Sequence, residues 1–149
     1  MKLTGAFDIS SSALTAQRLR MDVISSNIAN AETNRGRLVD GKWVPYSRKI
    51  VTMEPKSSQP FAHFLNSAME GAAGEGVKVT RITEDSTPPK LVYNPTHPDA
   101  DENGYVHMPN VDILKEMIDM ISATRSYEAN VTALNASKSM ITKALEIGR

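Results

Sequence analysis

VDILKEMIDMISATRSYEANVTALNASKSMITKALEI, residues 111–147, runs for thirty-seven positions without a Gly or a Pro. Within it Ile113, Met117, Met120, Thr124, Tyr127, Val131, Leu134, Lys138, Ile141 and Leu145 step by four and three, and eight of these ten positions are apolar. A 3.5-residue repeat sustained this long predicts a helix with a coiled-coil seam rather than the broader stripe of an ordinary surface helix. Asn110 fits the N-cap, Asp112 suits the positive end, Lys143 suits the negative end, and Gly148 can stop the helix in a left-handed conformation. At 1.5 Å per residue the helix would be about 55 Å long. That is more than a chain of 149 residues can cover by itself, so it implies partners.

The amino-terminal segment repeats the pattern. Phe7, Ser10, Leu14, Gln17, Met21, Ile24, Ile28 and Ala31 step by three and four, with Asp8 or Ser10 able to cap and Glu32 to Gly36 able to terminate. Two such helices at opposite ends of a chain pack most simply on each other. Small and amide residues crowd both: Ser25, Ser26, Asn27, Ala29 and Asn30 in the first, Ala123, Ala129, Ala133, Ala136, Ser137 and Ser139 in the last. They form either a solvated polar face or a surface that meets neighbouring subunits, with the amides setting register.

Between the helices lies every proline of the chain, from Pro45 to Pro109, so no long helix fits there. Tyr46–Met53, Val77–Ile82, Lys90–Tyr93 and Tyr105–Met108 are expected strands, and Phe61, Phe64, Leu65 and Ala68 could form two helical turns. The expected organisation is mainly α. Residues 1–34 form an N-terminal helix that pairs with residues 110–149 as a coiled-coil domain, and residues 35–109 form a β-rich insertion with a flexible 55–76 segment.

Composition and chemistry narrow the function. Lys plus Arg equals Asp plus Glu at 17 each, which gives no electrostatic pull toward nucleic acid or an anionic membrane. The absence of cysteine excludes disulfides and thiolate metal sites. No apolar run suits a cleaved signal or a membrane span. His63, His97 and His107 form no metal-ligand pair or catalytic arrangement, and no phosphate-binding glycine motif is present. Asp99-Ala100-Asp101-Glu102-Asn103-Gly104 matches the first half of a calcium loop. Its twelfth position is Asn110 rather than a bidentate Glu, and prolines forbid the entering helix, so it reads as a turn whose carboxylates stay in water.

Two signatures carry a resemblance. Ser26-Asn27-Ile28-Ala29-Asn30-Ala31-Glu32-Thr33 resembles the S-N-I-A-N-A-x-T block of bacterial flagellar axial proteins. Met120-Ile121 with Arg125-Ser126-Tyr127-Glu128-Ala129-Asn130 is similar to their C-terminal M-I-x-x-x-R-x-Y-E-A-N block. Lys90 to Asp101, Gly104-Tyr105-Val106 and the ending Lys143 to Arg149 resemble the short proximal-rod subunits of that family. The likeness covers nearly the whole chain and fades between about Arg35 and Gly76.

The resemblance implies a non-enzymatic subunit of the basal-body rod, exported unfolded by the flagellar type III apparatus without cleavage and assembled in the periplasm. Its implied partners are copies of itself, other flagellar rod proteins, the export apparatus and basal-body rings. No cofactor, metal, nucleic acid or small-molecule substrate is implied. The residues expected to meet across helices or subunits are Leu14, Met21, Ile24, Asn27, Ile28, Asn30, Met117, Met120, Tyr127, Val131, Leu134, Ile141 and Leu145. A cytosolic coiled-coil adaptor that binds one partner without polymerising is the rival reading.

Overall fold

A computed structural model describes residues 5–39, 41–56 and 76–147. Among the described residues two helices flank six strands in sequence, in the order α1 (Gly5–Ala29), β1 (Arg37–Val39), β2 (Lys42–Val44), β3 (Lys49–Pro55), β4 (Val77–Glu84), β5 (Lys90–Tyr93), β6 (Tyr105–Met108) and α2 (Ile113–Ile147). The fold is mainly α with a small β insertion. The expected helical turns around Phe61 and the expected flexible segment fall almost wholly outside the described residues.

The strands form three two-stranded ribbons, β1–β2, β3–β4 and β5–β6. Leu38 pairs with Trp43 across the first, and Lys90 to Tyr93 pair with Met108 to Tyr105 across the third, both antiparallel. The middle ribbon is closed by the Lys56 amide on the Gly76 carbonyl at 2.8 Å and the Asp85 amide on the Arg48 carbonyl at 2.7 Å. The β1–β2 hairpin was not among the expected strands. Its signal is present: Asp40-Gly41 stands between short apolar runs, and Gly41 takes a φ of 78°, as tight hairpin turns require. The expected strand from Tyr46 begins only at Lys49, because the Arg48 and Lys49 amides bond to side chains outside the sheet.

Helix ends also differ from expectation for local reasons. Asp8 and Ser10 lie inside α1, which starts at Gly5. At its other end the Asn30 side chain donates to the Ser26 carbonyl, and the Ala31 and Thr33 amides reach back only three residues, which unwinds the helix. Asn110 does not cap α2. Its oxygen accepts from the Arg48 amide at 2.8 Å and its nitrogen donates to the Thr87 carbonyl at 3.1 Å. Asp112 caps instead, accepting from the amides of Leu114 and Lys115. The 99–104 turn closes through the Gly104 amide on the Asp101 carbonyl, and the Asp99 carboxylate accepts from Arg35 Nε at 2.8 Å rather than remaining in water.

The chain divides into two compact units. One gathers Met1–Leu19, Thr52–Arg81 and Ala123–Arg149; the other gathers Arg20–Val51 and Ile82–Ser122. In the first, the buried side chains include Ser10, Ala16 and Ala123. Here Gly76, at φ 113°, brings the chain onto α1, and the Val77 amide donates to Ser12 Oγ at 3.1 Å. In the second, Val23, Ile24, Val106, Pro109 and Val111 are buried together with two polar residues, Asn27 and Glu116. Within it α1 and α2 are antiparallel: Arg20 meets Asp119, and Asn27, farther along α1, meets Glu116, earlier on α2.

A Cβ at Gly76 would run into Ser12 Oγ, and its φ is one that side-chain-bearing residues rarely adopt. Gly76→Ala should therefore lower stability by about 1–3 kcal/mol. Gly5→Ala, with open space at the start of α1, should be neutral or stabilising by up to about 1 kcal/mol. Urea midpoints of the two variants provide the comparison.

Candidate assembly surface and its buried polar anchor

Asn27 is 1% exposed, and every hydrogen-bonding position of its amide is filled. Its Nδ2 donates to the Lys49 carbonyl at 2.9 Å and to Glu116 Oε2 at 3.0 Å. Its Oδ1 accepts from the Lys49 amide and the Tyr46 hydroxyl, each at 2.9 Å. An amide has two donors and two good acceptor directions, so this residue is saturated. By bonding both polar groups of Lys49 it imitates a neighbouring strand's peptide. It thereby pins the start of β3 to α1.

Glu116, also 1% exposed, is the second member. One carboxylate oxygen accepts from Asn27 and the other from Arg48 Nε at 2.6 Å. Arg48 also stands 3.5 Å from Asp85 and 3.8 Å from Asp119, and Asp119 takes a 3.3 Å contact from Arg20. Burial opposes the Arg48 charge, but the hydrogen bonds and charges of Glu116 and Asp85 outweigh it and hold the guanidinium above its ordinary pKa. Asp85 is held below the usual carboxylate range by the hydroxyl and amide of Thr87, with Arg48 adding to the effect. A lone buried carboxylate would be costly. Here it has a fork-shaped partner and satisfied oxygens.

Around this anchor the apolar surface is unevenly placed. On the first turns of α2 Ile113, Leu114, Met117, Ile118 and Ile121 all face solvent, with Leu114 70% and Ile118 61% exposed. On a helix these positions form one stripe whose middle, Leu114, Ile118 and Ile121, lies away from Glu116, while Met117 flanks it and Ile113 stands at the near edge. Leu38 and Trp43 on the first hairpin, and Leu91, Tyr93 and Tyr105 on the third, are exposed as well. Tyr93 and Tyr105 meet edge to face at 5.3 Å.

The residues expected at helix contacts separate into three groups. Ile24 and Asn27 are buried, while Leu14, Met21, Ile28, Asn30, Met120, Tyr127, Val131, Leu134 and Ile141 are half-buried. Met117, at 52%, and Leu145, at 72%, are exposed. In both helices the most buried line lies one residue before part of the sequence seam: Asn27 before Ile28, Glu116 before Met117, Ala123 before Thr124. Tyr46, Arg48, Asp85 and Glu116 are members of this polar network that the sequence did not single out, and Asn110 was read there only as a cap. A carboxylate beside an apolar seam signals a buried partner somewhere in the chain, but the spacing does not say which.

His97 accepts at Nδ1 from the Asp99 amide at 3.1 Å, and His107 stands 3.8 Å from Asp101. Among the described residues no group of His, Cys, Asp and Glu could hold a metal ion, and no helix is long and apolar enough to cross a membrane.

Two family models match the chain, "Flagella basal body rod protein" over residues 7–35 and "Flagellar basal body rod FlgEFG protein C-terminal" over residues 102–147. The chain is 59% identical over 146 residues to the flagellar basal-body rod protein FlgC of Bacillus subtilis, covering 97% of each. It is 46% identical over 153 residues to the Borreliella burgdorferi protein of that name, covering 99% of this chain and 98% of the other. With the Escherichia coli O157:H7 protein it shares 47% over 149 residues, the whole of both.

Asn27→Asp removes the donor to Lys49 and sets a second carboxylate against Glu116. It should cost about 3–5 kcal/mol, whereas exposed Asn103→Asp should change stability by no more than about 0.5 kcal/mol. Denaturant unfolding decides between them. Acid supplies a second check. The lowered carboxyl of Asp85 stabilises the fold above the ordinary carboxylate pKa, and that contribution disappears as pH falls through its folded value. Asp99 behaves alike, held down first by the hydrogen bond from Arg35. Asp85→Asn and Asp99→Asn should therefore lose less stability than the parent when pH is taken from about 5 to about 2, as read from melting temperatures.

Proposed function

The chain belongs to the FlgC-type family of flagellar basal-body rod proteins, and on that premise we propose that it builds the proximal rod by packing α1 and α2 as coiled-coil helices against those of neighbouring subunits. It is a structural subunit of the basal-body rod, not an enzyme, and works with other rod and basal-body proteins. The observation that carries the assembly reading is the solvent-facing stripe Ile113, Leu114, Met117, Ile118 and Ile121. An apolar stripe left facing solvent on a helix is suited to burial against a further partner. Repetition of one unsymmetrical contact with a rotation that does not close yields a helical filament.

In this reading the half-buried positions Val131, Leu134 and Ile141 complete their burial between subunits, together with the exposed Met117 and Leu145. The partners are further copies of the chain and the other rod subunits, with basal-body rings around them. The chain reaches the periplasm through the flagellar export apparatus without a cleaved signal. Torque is then carried by packed helices rather than by any chemical step.

Val131→Asp would place a carboxylate in the packed seam, where an unpaired charge costs several kcal/mol or forces the helices apart. Cells carrying it should make and export the subunit at normal levels yet build no rods and fail to swim. Glu146→Gln, an exposed position one residue before the end of α2, should leave swimming intact. Motility assays with basal-body preparations check both, and normal rods in the Val131→Asp strain would refute the seam.

A further inference from the structure

The side of α2 turned inward in the second unit is the less apolar one. Toward α1 it presents Glu116 and Asp119, bonded to Asn27 and Arg20. Toward solvent it presents Ile113, Leu114, Met117, Ile118 and Ile121, all more than one third exposed. Burial of apolar surface alone would favour the opposite setting, because rotating the helix by about half a turn would exchange Glu116, Asp119 and the half-buried Met120 for Leu114, Ile118 and Ile121. The hydrophobic effect is non-directional and cannot choose the observed face. The selecting interaction has to be directional, and the buried hydrogen bonds of Glu116 are.

We propose that Glu116, held by Asn27 and Arg48, is a rotational pin that keeps the apolar stripe of α2 turned outward. Three features support it. Both oxygens of Glu116 are taken, by Nδ2 of Asn27 on α1 and by Nε of Arg48 just before β3. These two partners come from different elements, so together they fix the helix about its axis and not merely its distance from α1. Asn27 is itself immobilised by both backbone groups of Lys49 and by Tyr46. The Arg48 amide is bonded to Asn110, three residues before α2 begins. A buried polar group that fixes orientation at some cost in stability is the role best attested for such groups in paired helices. That the outward stripe then serves neighbouring subunits rests on the assembly reading above; the rotation itself does not.

The chain contains no cysteine, so single cysteines report exposure without background. Ile118→Cys and Leu114→Cys should each react rapidly with a maleimide in the otherwise native purified chain. Adding Glu116→Met and Arg48→Met removes the pin, while Asp85 keeps its hydrogen bonds from Thr87 and Asp119 keeps Arg20. The protein should remain helical, with a melting temperature no lower than the parent's. Labelling at position 118 should slow at least tenfold as the stripe turns inward, and the subunit should no longer enter rods. Further adding Met117→Lys and Ile118→Lys removes the apolar drive, so Leu114→Cys in that background should regain fast labelling. Unchanged labelling in the Met/Met protein, its unfolding, or slow labelling that persists after the lysine substitutions would each overturn the pin. Because labelling is read on the purified chain, failure there is separate from failure of Val131→Asp to block rods.

Discussion

A side-chain amide that bonds both polar groups of a distant residue does what a neighbouring strand would do. Asn27 gives Lys49 a donor and an acceptor at 2.9 Å each, and so ties α1 to the start of β3. Its other two bonds, to Tyr46 and Glu116, bring in the turn before β3 and the first turn of α2. No other residue type supplies that set: Asp has no donor, Gln carries an extra methylene, and an aliphatic would remove the partner of four polar groups, among them an oxygen of the buried Glu116. The remaining structure of the second unit follows from this placement. Arg48 lies beside Lys49 and so reaches Glu116 and Asp85. Its amide meets Asn110, which displaces Asn110 from the helix cap and leaves that role to Asp112.

The ribbons contribute local rather than global rigidity. A two-stranded hairpin is marginal in water unless something packs on it. β5–β6 turns Val106 inward, 2% exposed, and anchors Lys90 Nζ on the Val111 carbonyl. Arg35 on Asp99 and Arg37 on Glu84 join these loops and ribbons by surface pairs, of the kind that orients more than it stabilises. Glycine is needed where chains come close: at Gly36 a Cβ would come within 2.8 Å of the Tyr46 amide nitrogen. Together these features support a firm base for the first turns of α2 while leaving much apolar surface open.

Much of this was legible in the residues. The long uninterrupted stretch from Val111 dictates a helix, the prolines confine irregular chain to the middle, and Lys90–Tyr93 and Tyr105–Met108 are strands by composition alone. The signatures around Asn27 and Tyr127 pointed to the flagellar axial family, to which full-length relatives attach the chain. These properties are local. Backbone propensity, proline geometry and the 3.5-residue repeat act over a few residues and do not depend on what the chain meets later.

Which side of each helix turns inward is another matter. The repeat placed Met117 and Ile28 on the seam, yet Glu116 and Asn27 are the buried ones. Periodicity weighs apolar area, and on the first turns of α2 it favours turning the side of Leu114, Ile118 and Ile121 inward, the reverse of the setting adopted. The decision belongs to hydrogen bonds between residues 89, 68 and 22 positions apart, which exist only once the chain has closed on itself. The sequence by itself determined the elements and the family; tertiary structure decided the facing of the helices, because directional bonds between distant polar groups outweigh a non-directional preference for burying aliphatic surface.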